Sequence, residues 1–330
     1  GNRLNPTEDR AVLHTALRAE HPVELDGHDV TRDVARVRAQ MRELADAVHA
    51  GRWTGRDGQT LTDVVHIGIG GSYLGPALVC EALEANRAGK LRVHFLANVD
   101  GFEASRLLAR LDPARTLFVV ASKSFGTMET RVNAETARAW FLEHGGRHED
   151  VARHFVAVST NVEAAGRFGI PPENLFDLWD WVGGRYSVWS AIGLPIALGL
   201  GHDVFERFLA GARSMDTHFR EAPPEANAPL TLALAGVWNT NFLDCATHAV
   251  LPYGGALDRL PDYLQQLEME SNGKRVRADG VPATTDTAPV LWGGVGTNGQ
   301  HAYHQLLHQG TRAFSADLVL PVTPNHDLDA

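Results

Sequence analysis

From Leu61 onward the chain alternates between short runs rich in β-branched residues and longer stretches whose apolar positions recur at helical spacing. The pairs read VVHIGI then PALVCEALEA, RVHFLANV then FEASRLLARL, TLFVVAS then METRVNAETARAWF, and HFVAVST then NVEAAGRF. Strand followed by helix, repeated, implies right-handed crossovers and a mainly parallel sheet. The first fifty or so residues lack such strand-like runs. There EDRAVLHTALRAE and DVARVRAQMRELADAVHA set apolar positions at helical spacing with charges between them, which predicts helices packed on a neighbouring core. After IPPENLFDLWDWVGG a buried helix is expected, followed by the Pro- and Ala-rich stretch EAPPEANAPL. The alternation then returns with HAVLPY before LDRLPDYLQQLEME, and APVLWGG before TNGQHAYHQLLHQG. The expected organisation is a helical segment over 1–45, a first α/β domain over 46–198 and a second over 199–330, each with a doubly wound, mainly parallel sheet flanked by helices.

Composition narrows the function. A chain of 330 residues with 44% hydrophobic residues is long enough for two α/β domains. Its formal net charge of −10 argues against a general nucleic-acid or membrane-surface binder, which needs excess Lys and Arg. An anionic substrate would therefore require a locally basic pocket. Cys80 and Cys245 form neither a C-x-x-C pair nor a zinc spacing, so both are expected to be buried thiols in a reducing compartment. The longest apolar run, VWSAIGLPIALGL, is too short to span a bilayer, and no signal-peptide pattern opens the chain. A cytoplasmic setting follows as the expectation.

The stretch HIGIGGSYLGP runs from strand to helix through glycines and a serine, the arrangement that builds a phosphate cradle. A dinucleotide fingerprint fails at its third glycine, where Tyr73 stands, although Asp100 could mimic a ribose-binding acid. A triphosphate loop fails too, since no Gly-Lys-Ser/Thr follows. Two readings remain for Gly71 and Ser72: a site for one small phosphate, or a tight turn. The second loop, ASKSFGTMET, offers Ser122, Lys123, Ser124 and Thr127 just before a helix, more hydroxyls than one helix cap requires. Two such loops on neighbouring strand ends can share one phosphate.

At this point HIGIGGSYLGP, SKSFGTMETRVNAETARAW, WVGGRYSVWSAIGLPIAL, LPYGGALDRLPDYLQQLEMESNGK and VLWGGVGTNGQHAYHQLLHQGT together resemble the glucose-6-phosphate isomerase family, in order and at family-like spacing. The resemblance runs from NPTEDRAVLHTALR to LPVTPNH. It implies two domains of the sugar-isomerase fold, a small phosphosugar substrate, no cofactor and no metal, and a homodimer with shared sites. Tyr73 stands where many relatives carry Asp, and Ser124 where many carry Thr. Family members continue past LPVTPNH into helices bearing a Lys and a Gln of the site, so the second domain is expected to be truncated. A non-catalytic sugar-phosphate sensor of the same fold is the second reading, and a nicotinamide oxidoreductase the third.

Aldose–ketose isomerisation needs a base, stabilisation of an enediolate and help in opening the sugar ring. In LQQLEMESNGK, Gln266 and Glu270 share a helix face, and Ser271-Asn272-Gly273 reads as a helix stop. That places Glu270 by the negative end of the dipole, which favours its protonated form, though a solvated Glu at a frayed end fits the same spacing. The resemblance implies that Glu270 transfers the proton and that Gln266 contacts substrate. In WVGGRYSVWS, Gly184 lets backbone approach a ligand, and Arg185 is either a structural ion pair or, by resemblance, the cation that stabilises the enediolate. His301, His304 and His308 suggest a metal, but no carboxylate or Cys completes a zinc site. His301 is expected in the first turn of its helix, where the dipole favours neutral imidazole. By resemblance it opens the ring from across the dimer interface, and Glu129 orients it.

Overall fold

The computed structural model describes residues 9–87, 89 and 91–323; the outermost residues of the stretches NPTEDRAVLHTALR and LPVTPNH lie outside the described residues. The chain divides into two compact units, Gly1–Gly211 and Ala212–Ala330. The division falls within a helix, downstream of the boundary expected near residue 198.

The first unit begins with a 3₁₀ turn, His14–Arg18, where the sequence predicted a longer helix. Leu13 sends its N–H out to the Trp181 carbonyl at 3.1 Å, and Ala19 is already extended, so the helix has no room to grow. A small antiparallel pair, β1 (Glu24–Leu25) and β2 (His28–Asp29), leads into α1 (Val30–His49). The Asp29 carboxylate accepts from the Thr31 N–H at 3.0 Å and caps that helix. Val30, Val34, Val37, Met41, Leu44, Ala45 and Val48 form its buried stripe, as the periodicity predicted.

A parallel sheet follows. Its strands are β3 (Asp63–Ile67), β4 (Arg92–Leu96), β5 (Thr116–Ala121), β6 (Phe155–Val158) and β7 (Leu175–Phe176), arranged β4-β3-β5-β6-β7. Period-two alternation distributes the strand residues between two cores. Val64, Leu117, Val119, Ala121, Val156 and Val158 join α1 and α7 (Leu194–Leu200) on one face. Val65, Ile67, Phe118, Val120, Phe155 and Ala157 pack on the other face against α3 (Gly101–Leu108), α4 (Met128–Glu143), α5 (Val151–His154) and α6 (Val162–Phe168). The sheet is thus doubly wound, as expected, with α2 (Leu74–Ala82) following β3. His154, predicted in a strand, ends α5 instead.

Strand order fixes where ligands bind. The chain leaves β3, adds β4 on one side, then crosses back to lay β5 on the other. The crevice at the carboxyl ends of β3 and β5 is therefore the topological switch point, the usual ligand position in an open α/β sheet.

The helix α8 (His202–Glu221) carries the division, and α9 (Ala228–Phe242) starts at Asn227, whose side chain accepts from the Leu230 N–H at 3.2 Å. The second unit holds a parallel sheet ordered β10-β8-β9, from β8 (Thr247–Pro252), β9 (Val290–Gly293) and β10 (Ser315–Val319). Against β8 and β9 packs α10 (Leu260–Gln265), which continues through a π-helical turn, Gln266–Glu270. The single helix predicted over 297–310 is broken into α11 (Gly296–Gln300) and α12 (His304–Gln309). Tyr303 folds back so closely that a Cβ on Gly299 would lie 2.3 Å from its hydroxyl, and a continuous helix cannot accommodate that.

Candidate active site

The first cradle is the turn Gly70–Ser72 between β3 and α2, entered through Gly70 at φ +57°. It is pinned from the sheet side by His66. That ring is fully buried on β3, and its Nε2 lies 2.6 Å from the Ser72 carbonyl oxygen, to which it donates. Burial pushes the His66 imidazole down to about 4, against a smaller opposing effect of the Ser72 carbonyl, so it holds this bond as the neutral ring. Sequence reasoning passed over His66, because a lone histidine on a strand carries no signal of what its ring will meet.

The second cradle lies beside the first. Register pairs Ile67 with Val120, which brings Gly68 and Ser122 to the same sheet edge. A Cβ on Gly68 would stand 3.0 Å from the Ser72 Cβ and 3.2 Å from the Ala121 carbonyl oxygen. Ser122 is buried and donates to the Thr127 hydroxyl at 3.2 Å, while the Ser124 hydroxyl accepts from the Gly126 N–H at 3.2 Å. Thr127 stands at the N-cap of α4 but makes no side-chain cap, and α2 likewise begins without one, as do α5, α7, α10, α11 and α12; α1, α3, α6 and α9 are capped by Asp or Asn. Helix N–H groups left in this way suit an anion.

Arg185 joins this crevice through backbone contact. A Cβ on Gly71 would sit 2.2 Å from the Gly184 carbonyl carbon and 2.6 Å from the Arg185 nitrogen. Only glycine permits that approach. Ser187, which sequence reasoning also missed, bridges the same two loops: its hydroxyl lies 2.5 Å from the Gly184 oxygen and 3.3 Å from the Gly71 oxygen. The Arg185 guanidinium stands 5.6 Å from the centre of the Tyr186 ring. Lys123 ties in from the other side, its Nζ 3.2 Å from both the Asp180 carboxylate and the Asp180 carbonyl oxygen. The lysine thus anchors the second cradle to the segment leading into Gly183–Arg185. Glu129 occupies the first turn of α4 and is half-buried. Asp100 caps α3, accepting from the Phe102 N–H at 2.9 Å, a structural use for the candidate ribose-binding acid of the third reading.

Gln266, Glu270 and His301 belong to the second unit. Gln266 opens the π turn and Glu270 closes it, exposed. The Gln266 Oε1 is buried and has no hydrogen-bond partner among the described residues, as is also true of the Trp189 Nε1 and the Tyr303 hydroxyl. Lys274 donates to the Glu270 and Ser271 carbonyls, each at 2.7 Å, and closes the helix end that Gly273 terminates. His301 does not lie in a first helical turn. It caps the carboxyl end of α11, exposed, so the dipole argument for its neutral form does not apply. Among the described residues no group of three His, Cys, Asp or Glu is placed to hold a metal ion, and no helix is long and apolar enough to cross a membrane. Cys245 is buried and Cys80 half-buried, with the Cys80 thiol pushed up by burial.

Comparison with known proteins gives the family of the chain. The family model described as phosphoglucose isomerase matches residues 1–329. Over 325 residues the chain is 56% identical to glucose-6-phosphate isomerase from Pseudomonas aeruginosa (strain LESB58), and over 332 residues 54% identical to that from Cupriavidus metallidurans. These alignments cover 98% and 99% of this chain but 59% and 61% of the two relatives, so the chain spans about three-fifths of their length. A crystal structure of a glucose-6-phosphate isomerase from Chlamydia trachomatis superposes with a TM-score of 0.84 at 34% identity, covering 94% of this chain and 58% of that one. With paired cradles at the switch point, an arginine loop packed on one of them and a family match along its length, the chain belongs to the phosphoglucose isomerase family.

Proposed function

We propose that this protein interconverts glucose 6-phosphate and fructose 6-phosphate through a cis-enediol, without cofactor or metal. The observation that carries the reading is the pair of hydroxyl-bearing loops side by side at the carboxyl ends of β3 and β5, each leading into a helix start at the topological switch point. One phosphate fits that crevice, held by Gly71, Ser72, Ser122, Ser124 and Thr127, while Lys123 and Arg185 offset its charge. The Gly71 to Gly184 contact then sets Arg185 at a fixed distance from the phosphate, where it stabilises the enediolate. Glu270 takes the proton from one carbon and returns it to its neighbour, and Gln266 offers its unpartnered oxygen to a sugar hydroxyl. His301 opens the ring, oriented by Glu129 across the interface of a cytoplasmic homodimer.

The test is a coupled assay of fructose 6-phosphate conversion, run beside calorimetry with the same sugar. Turnover supports the isomerase. Tight binding without turnover favours the non-catalytic sensor, and absence of both overturns the phosphosugar reading.

A further inference from the structure

A loop that holds an anion through its N–H groups and hydroxyls must dispose of its own carbonyl oxygens, whose partial negative charge would otherwise oppose the ligand. In the second cradle this is done by a turn to which the isomerase chemistry assigns no role. Three donors converge on the Lys123 carbonyl oxygen: the Ser159 hydroxyl at 3.0 Å, the Thr160 hydroxyl at 2.8 Å and the Thr160 N–H at 2.9 Å. The next carbonyl, that of Ser124, accepts from the Asn161 side-chain amide at 3.1 Å. Both ends of that amide are used, because the Asn161 oxygen caps α6 on the Ala164 N–H at 3.0 Å. Ser159 is fully buried, and its hydroxyl also accepts from the Asn161 N–H at 3.2 Å.

The loop so held is strained. Phe125 sits at φ +54°, a region a bulky side chain rarely adopts, and its ring is buried against Phe168 at 5.8 Å. Its N–H closes the turn on the Ser122 carbonyl at 3.0 Å. A backbone in that region is unfavourable for a side chain of this size and persists only where its surroundings over-determine it.

We propose that Ser159, Thr160 and Asn161, with Phe125, are positioning residues for phosphate: they hold the second cradle in its anion-binding shape by taking up its carbonyl oxygens. The proposal rests on the phosphosugar reading above. A turn that merely joined β6 to α6 would need Asn161 as a cap and would have no use for three donors on one carbonyl of another loop.

The test uses the 330-residue chain, with inorganic phosphate and glucose 6-phosphate as probes in calorimetry well below the unfolding temperature. The double variant Ser159→Ala/Thr160→Val should weaken both ligands by about tenfold or more, and Thr160→Ser, which keeps the hydroxyl, should bind nearly as the parent does. A purely structural role would lower the unfolding temperature and leave the affinity of the folded protein alone. Asn161→Ser keeps an oxygen to cap α6 but removes the donor to Ser124; it serves if the double variant fails to fold, and it too should bind phosphate more weakly. Parental affinity in whichever of these variants folds overturns the clamp. The control is Ser72→Ala/Ser124→Ala/Thr127→Ala: loss of phosphate there with parental affinity in the clamp variants sinks the clamp alone. Parental affinity in the control sinks the cradle reading and the clamp with it.

Discussion

Placing a methyl group on Gly71 would bring it within 2.2 Å of the Gly184 backbone, and backbone cannot rotate away as a side chain can. Gly71→Ala should therefore push the two loops apart. We expect a stability loss of about 1–3 kcal/mol by urea unfolding, together with lower phosphate affinity and lower turnover. A fully active Gly71→Ala variant would separate Arg185 from the cradle. Glu270→Gln makes the opposite kind of change, keeping size and hydrogen bonding while removing the ability to accept a carbon-bound proton. Binding of glucose 6-phosphate should stay nearly normal, and turnover should fall by on the order of a thousandfold or more. Retained turnover would remove Glu270 from the role. Gly71 is legible in the sequence from its glycine-rich loop, whereas the place before Ser-Asn-Gly fits a solvated Glu as well, and it is the family resemblance that singles out Glu270. His66 and Ser187 are not legible, since their partners are carbonyl oxygens of loops that only the folded chain brings near.

At the scale of elements, the π turn Gln266–Glu270 carries both second-unit residues, Gln266 and Glu270, proposed for the sugar contact and the proton transfer. A π turn takes in about one residue more than an α turn, and such bulges are frequent at functional sites. Deleting Glu268 should let an α-helix run through to Asn272 and rotate Glu270 relative to Gln266. Helical circular dichroism should be kept while turnover drops as far as in Glu270→Gln; unchanged turnover would show that the bulge sets no catalytic geometry. No sequence pattern announces the bulge, because four-residue spacing keeps two side chains roughly on one face in either helix type. Elements with a clean signal were readable: α1 has its apolar stripe, and β3, β5 and β6 are rich in β-branched residues. The short strand β7 offers too few residues for a period. Helix α9 has apolar side chains all round, with Leu232, Leu234, Val237, Trp238 and Phe242 exposed, so no stripe marks it. The break after α11 depends on Tyr303 packing over Gly299 and against Trp292, a tertiary contact that overrides helical spacing.

For the molecule as a whole, buried titrating groups of the first unit predict that stability falls in acid, the histidines and Asp63 acting at different pH. Asp63 opens β3, almost fully buried; burial raises its carboxyl, but hydrogen bonds from His94 at 2.8 Å, Arg92 at 2.9 Å and Thr62 at 2.8 Å outweigh that and bring it down to about 2. Its contribution is complete above the ordinary carboxylate range and is lost as pH falls through about 2. The histidines act earlier. His66 is lowered from 6.5 to about 4 by burial, and His154 and His202 are lowered chiefly by burial as well. Between pH 6.5 and 4 the unfolded chain binds a proton that the His66 ring refuses, and His154 and His202 act in the same direction below pH 6.5, so stability falls with falling pH. For His66 the structural reason is plain: Nε2 already donates to Ser72, and Nδ1 is buried without a partner, so a second N–H would enter the core unpaired. The full shift corresponds to roughly 3 kcal/mol. His66→Gln, which retains an N–H donor and cannot titrate, should lose some stability at pH 7 yet show a shallower decline of the urea midpoint between pH 6.5 and 4. A slope equal to the parent's would assign the decline to His154 and His202, and would leave the first cradle's buried histidine as a hydrogen-bond donor with no part in acid unfolding.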